Sequence, residues 1–142
     1  MKNQFRVLLL IISIVFCQSL CAQNRDSIYM GATCDSIMKG FLDGDYPAAM
    51  KFLKNNSILG KKVDQIQTTI TDAMSKAATA YGKTTAYKFI LERDAGGLVK
   101  KRFYFLLFEN FFVKFDFTWY KTATGWKIVN FNFDENINEV LN

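Results

Sequence analysis

From Lys83 to Phe133 the chain repeats one device: apolar and polar side chains alternate through several strand-length runs, with turn residues between them. A period of two sends successive side chains to opposite faces of a strand. Several such runs in a row define an antiparallel sheet with one face packed against something. The aromatics crowd into the same stretch: Phe103, Phe105, Phe111, Phe115, Phe117, Trp119, Trp126 and Phe131. This pattern settles an architecture and names no reaction.

The periodicity predicts strands over about Thr84 to Glu92, Leu98 to Leu107, Phe111 to Lys121 and Trp126 to Phe133. Asp94-Ala95-Gly96-Gly97, Glu109-Asn110 and Thr122-Ala123-Thr124-Gly125 are the turns between them. In the first strand Tyr87, Phe89 and Leu91 share a face. In the second, Val99, Phe103 and Phe105 alternate with Lys100, Arg102 and Tyr104. In the third, Phe111, Val113, Phe115, Phe117 and Trp119 oppose Lys114, Asp116, Thr118 and Tyr120.

Helical signals precede the sheet. Asp26 to Leu42 carries Ile37, Met38, Phe41 and Leu42 at helical spacing, and Gly44 ends it. Asp45 is a cap for a short second helix, with Pro47 tolerated in its first turn. Gly60 to Tyr81 is the longest helix, its stripe stepping through Val63, Ile66, Ile70, Met74, Ala77 and Tyr81, with Gly82 as its C-terminal cap. Helices first and an antiparallel meander after them give an α+β fold: three N-terminal helices packed on a curved antiparallel sheet of about four strands. Phe103, Phe105, Phe115 and Phe117 are expected to fill the core beneath the helices.

The first 22 residues read as a separate segment. Lys2 and Arg6 are followed by an apolar run from Val7 to Phe16, then by the small residues Ser19, Cys21 and Ala22. This is the three-part pattern of a secretory signal, too short in its apolar core to remain as a spanning helix. Cleavage near Ala22 or Gln23 leaves a single domain, 23–142, exported to the periplasm or beyond, with a Gram-negative bacterium as the expected source. Neither Cys17 nor Cys21 follows a small residue, which disfavours lipidation. The mature chain keeps Cys34 alone, with no disulfide partner, and is read as a small buried hydrophobe.

The formal charge of +5 includes Lys2 and Arg6; without them 16 basic residues face 13 acidic ones, a net of +3. That is an ordinary surface, which argues against nucleic acid as a partner. No second long apolar run follows the signal, so no membrane span is expected after cleavage.

Three local features carry a resemblance. They are Phe41-Leu42-Asp43-Gly44-Asp45-Tyr46-Pro47-Ala48-Ala49 between the first two helices, Gly82-Lys83 at the entry to the sheet, and Gly125-Trp126-Lys127-Ile128-Val129-Asn130-Phe131 in the last strand. With the element order, they make the chain resemble the nuclear transport factor 2-like superfamily, the cystatin-like α+β roll, and within it small exported bacterial members of unknown function. The resemblance implies a sheet wrapped into a cone whose open end, between sheet and helices, holds ligands or active sites. The superfamily includes enzymes and non-catalytic binding domains, so fold alone does not choose the function.

The chain has no histidine. Ser-His and Cys-His nucleophile systems are therefore excluded, and so is the commonest zinc ligand. No metal site and no cofactor are expected, and the double glycine Gly96-Gly97 reads as a turn. What remains is carboxylate and phenol chemistry. Isomerase-like members of the resembled superfamily pair a pocket Asp with a Tyr, and the candidates here are Asp116 with Tyr104 or Tyr120. No residue matches the superfamily's catalytic base by motif. Against this stands a solvated Asp116 on the outer face, alternating with Lys114 and paired across strands with a cation such as Arg102.

Lys100, Lys101 and Arg102 read as a basic, exposed edge that discourages sheet-to-sheet pairing. The expected function is a non-enzymatic exported domain that binds a small apolar ligand or a protein partner through the cone or the exposed sheet face. The pocket residues are then Tyr46, Tyr87, Phe103, Phe115, Phe117 and Trp119. The alternatives are a small pocket enzyme of isomerase or hydrolase type and a homodimer packed through its sheets.

Overall fold

The computed structural model describes residues 25–142. The expected signal segment, with Cys17 and Cys21, lies outside the described residues. The described residues fall into two units divided between Ala32 and Thr33. Within the first, residues 25–32 are helical; the second holds the sheet and the other helices.

Helix α1 covers residues 25–42. From residue 33 onward its apolar stripe is Cys34, Ile37, Met38 and Phe41, all fully buried. Burying a large side chain of this kind contributes about 1.5–3 kcal/mol. Helix α2 is Tyr46–Asn55, and the Asp45 carboxylate accepts from the Ala48 N–H at 3.0 Å, with Pro47 in the first turn. Helix α3 is Lys61–Tyr81, burying Val63, Ile70, Met74 and Ala77. Gly82 ends it at φ +87°, where its N–H donates to the Ala78 carbonyl. A Lys54–Asp64 ion pair at 2.6 Å ties α2 to α3.

The sheet is β1 (Thr84–Ala95), β2 (Val99–Phe108), β3 (Phe112–Thr122) and β4 (Gly125–Asp134), antiparallel throughout in the order β1-β2-β3-β4. Helices followed by an open four-stranded antiparallel sheet make the α+β fold expected from the periodicity. A short helix α4, Asn138–Leu141, follows β4. The Asn56–Ile58 loop covers part of the β4 edge: Ile128 N–H donates to the Asn56 carbonyl and Ile58 N–H to the Ile128 carbonyl, both at 2.9 Å.

Register decides which residues meet the helices, and here the structure corrects the expectation. Phe41 of α1 lies with its ring centroid 4.8 Å from that of Phe115, so the face of β3 bearing Val113, Phe115, Phe117 and Trp119 is the helix-facing one. Opposite these residues on β2 stand Leu106, Tyr104, Arg102 and Lys100. Directly opposed residues share a face. Phe103 and Phe105 therefore point away from the helices, opposite Asp116 and Lys114. Lys100 and Arg102 are buried on the inner face of a central strand rather than exposed on an edge.

The register shift in β1 between Phe89 and Leu91 has a parallel effect. Tyr87 and Phe89 oppose Leu106 and Tyr104, whereas Leu91 opposes Phe103 on the other face. One extra residue in a strand flips everything beyond it. Nothing local in the run of Phe89-Ile90-Leu91 signals it.

Candidate functional site

The hollow between helices and sheet is filled with rings. Phe115, Phe117 and Trp119 have no solvent exposure. Phe131 packs 5.3 Å from Phe117 and 5.9 Å from Phe115, and Tyr104 meets Phe117 edge-on at 5.8 Å. Tyr46 reaches Phe41 at 6.0 Å, and Tyr87 reaches Tyr104 at 6.5 Å. The six residues expected to line a pocket are thus distributed otherwise. Phe115, Phe117 and Trp119 are core, Tyr46 and Tyr87 sit at its margin, and Phe103 is buried on the opposite face.

Toward the β1–β2 turn the inner face becomes polar. Lys100 Nζ lies 2.8 Å from Glu92 and 3.4 Å from Asp94, and Arg102 is 3.5 Å from the other Glu92 oxygen. Register produces this network, since Glu92 opposes Arg102 and Asp94 opposes Lys100. Burial pulls the Lys100 ammonium down, but the two carboxylates outweigh it and leave it above its usual value. The Arg102 guanidinium covers the Phe89 ring at 4.8 Å. Nearby, burial pushes the Cys34 thiol up to about 12, and Arg102 and Trp119 only partly oppose it. Burial likewise raises the Tyr104 phenol, with Cys34 and Asp35 adding to it. Both groups are therefore neutral at physiological pH and poorly suited to proton transfer there.

Asp116 occupies the outer face and is 1% exposed, so it is not the solvated residue that alternation suggests. Its partners are Lys101 at 3.4 Å and the Asn132 amide at 3.5 Å. Burial raises its carboxyl above the usual range, and Lys101 and Lys114 pull it partly back. Arg102, the cross-strand cation expected from the sequence, is on the other face. So is Tyr104, which opposes Phe115. Tyr120 shares the outer face but lies four residues along β3, roughly 13 Å away at ~3.3 Å per residue, and is exposed. The structure does not assemble an Asp116–tyrosine acid–base pair.

Around Asp116 the outer face carries further charge. Lys114, 2% exposed at its side chain, is 3.0 Å from Asp134 and 3.7 Å from Glu139. Glu139 also bonds Lys101 at 2.7 Å. The Lys101 ammonium lies 5.1 Å from the centroid of the Phe103 ring.

An accessible concavity lies elsewhere. A groove of about 410 Å³ runs between the C-terminal half of α3 and the ends of β3 and β4. Met74, Ala77 and Ala80 from α3 and Val113 and Phe133 from the sheet form its apolar surface. Tyr81, Lys76, Asp134 and Glu135 supply its polar rim. Tyr81 donates to Glu135 at 2.7 Å, a bond that pins α3 to the end of β4 and raises the phenol's pKa. Sequence periodicity marks Met74, Ala77 and Tyr81 as one stripe of α3. The opening beside them arises because Ala73, Ala77 and Ala80 are too small to fill the space. The signal that could have found it is this alanine repeat opposite an aromatic-rich strand end.

Among the described residues no cluster of His, Cys, Asp or Glu could hold a metal ion, and no helix is long and apolar enough to cross a membrane.

No protein-family model and no curated protein matches the sequence. The fold is similar to a solved domain of unknown function with a cystatin-like fold from Nostoc punctiforme PCC 73102. The TM-score is 0.52 and the identity 11%, over 79% of this chain and 78% of that one. The likeness shows a cystatin-like fold.

Proposed function

We propose that this cystatin-like domain is a non-catalytic binding module whose ligand site is the groove between α3 and the ends of β3 and β4. The observation that carries the proposal is the groove's make-up: an apolar surface of about 410 Å³ rimmed by a few polar groups, the usual form of a small-molecule site. Its chemistry favours an apolar ligand body held along Met74, Ala80 and Phe133. Lys76 and Glu135 at the rim offer one polar contact of either sign.

Several features weigh against catalysis as the primary role. Asp116 is buried between cations and separated from both candidate tyrosines. Cys34 is kept protonated by burial and so is not a ready nucleophile. The wider membership of the nuclear transport factor 2-like superfamily, and export to the periplasm or beyond, are further parts of this proposal. They are supported by the motifs at Phe41–Ala49 and Gly125–Phe131 and by the composition of the first 22 residues.

The test is a fluorescence titration with a neutral apolar probe, N-phenyl-1-naphthylamine. Wild-type protein is expected to give a saturable rise in emission. Ala80→Trp, which places a large ring in the groove from an exposed position on α3, is expected to weaken binding about tenfold, or ~1.4 kcal/mol. Equal binding by wild type and Ala80→Trp would remove the groove as the site.

A further inference from the structure

We infer that residues 135–142 form a strap that regulates the groove, clasped to α3 through Tyr81 and latched to the outer sheet face through Glu139. This rests on the groove being the ligand site. It begins from an adjacency in the chain. Asp134 and Glu135 line the groove. Only four residues beyond Glu135, Glu139 contacts Lys101 and Lys114 on the sheet face turned away from the helices. One short segment thus touches both places.

The turn between them is built from side-chain bonds. The Asn136 N–H donates to Asp134 Oδ1 at 2.8 Å, and the Asn138 N–H donates to Asn136 Oδ1 at 2.9 Å. Asp134 Oδ1 also faces Lys114 Nζ at 3.0 Å, so one carboxylate serves both the turn and the buried lysine. Helix α4 has four residues, far too few to be stable alone. Its order depends on the Glu139 latch and on the half-buried Ile137 and Val140.

Opening is inexpensive for a specific reason. The strap's Glu139 sits on two ammonium groups, Lys101 and Lys114, and Lys114 is nearly without solvent exposure. When Glu139 leaves, water reaches these ammonium groups, and their hydration offsets much of the attraction given up. Regions held this way belong to the low-stability end of a fold. The Tyr81–Glu135 bond transmits the change. With the latch released, Glu135 no longer holds the end of β4 against α3, and the groove loses one group of its polar rim. By linkage, a ligand that draws Glu135 away from Tyr81 loosens the latch in return.

The experiment uses the full chain, with Glu139→Gln and Tyr81→Phe as variants. Two quantities are measured: the backbone order parameter at Val140 and Leu141 by 15N relaxation, and affinity for N-phenyl-1-naphthylamine. In wild type the order parameters are expected near those of a rigid backbone, about 0.85, and in Glu139→Gln below about 0.6. Probe affinity in Glu139→Gln is expected to fall at least about fivefold, within the usual range of coupling between sites. Tyr81→Phe, which breaks the clasp and leaves the latch residues in place, is expected to lower the order parameters of α4 as well.

Unchanged order parameters in Glu139→Gln overturn the latch. Lowered order parameters with unchanged probe affinity overturn the regulation and leave the groove intact. A wild type that does not bind the probe overturns the groove itself, a result read without any variant and so distinguishable from the other two.

Discussion

Phe103 and Asp116 stand directly opposite one another on β2 and β3, both 1% exposed, on the sheet face turned away from the helices. Lys101 joins them, 3.4 Å from the carboxylate and 5.1 Å from the centroid of the ring. The outer face is therefore a second, smaller core with an ion pair inside it. Phe103→Ala is expected to destabilise the protein by about 3–5 kcal/mol in urea unfolding, the cost of emptying a packed aromatic site. A loss within ~0.5 kcal/mol, as at an ordinary surface position, would show that this face is solvated.

Two carboxyls of this cluster are displaced in opposite directions. Burial raises Asp116 above the ordinary aspartate value, so its ionised form opposes folding once the pH exceeds the unfolded value. That penalty is relieved as acid protonates it in the folded state. The hydrogen bond from Lys101 lowers Glu139 below the ordinary glutamate value, so its contribution is present above that value and lost as pH falls through the folded one. Unfolding measured between about pH 3 and 6 should show a shallower acid loss in Glu139→Gln than in wild type. In Asp116→Asn the loss should be steeper, because the opposing group is gone. Parallel curves for all three proteins would contradict both assignments.

Gly40 is buried in α1 against α2. A Cβ built there would lie 2.9 Å from the Ala49 Cβ and 3.0 Å from the Ala49 backbone nitrogen. On an exposed helix, glycine to alanine gains up to about 1 kcal/mol from propensity. Here the two helices must move apart, and overpacking of this kind costs about 1–3 kcal/mol. Gly40→Ala is therefore expected to lower the midpoint of denaturation. A raised midpoint would mean that α1 and α2 separate freely.

Cys34 is fully buried, and its thiol is pushed up to about 12. The thiolate is the reactive form, so at pH ~8 the folded protein should resist thiol reagents at this position. Peptide-resolved labelling is expected to show Cys34 modified only after denaturant is added. Labelling in the native state at the unfolded rate would place the thiol at the surface.

Much of the fold is written in periodicity. The alternation of β3 and the stripe of α3 each specify an element and the face it buries, because a side chain's direction repeats every two residues in a strand and every 3.6 in a helix. Asp45 and Gly82 mark helix ends through local hydrogen bonding and backbone freedom, which act within a few residues. These features need no knowledge of what lies across the molecule. The candidate site is different in kind. Which face of β2 meets the helices depends on its partner's register, so Arg102 and Lys100 turned inward while Phe103 turned outward. The shift at Phe89–Leu91 moved Leu91 to the outer face and set Glu92 against Arg102, with no local signal. The groove exists because α3 crosses the sheet where its alanines leave space, and the strap because Glu139 finds two lysines from different strands. Periodicity is a property of neighbours along the chain; cavities and ion pairs between distant residues are set by how finished elements dock. The sequence alone therefore determined the elements and most of their faces, and the tertiary structure alone decided where an opening was left.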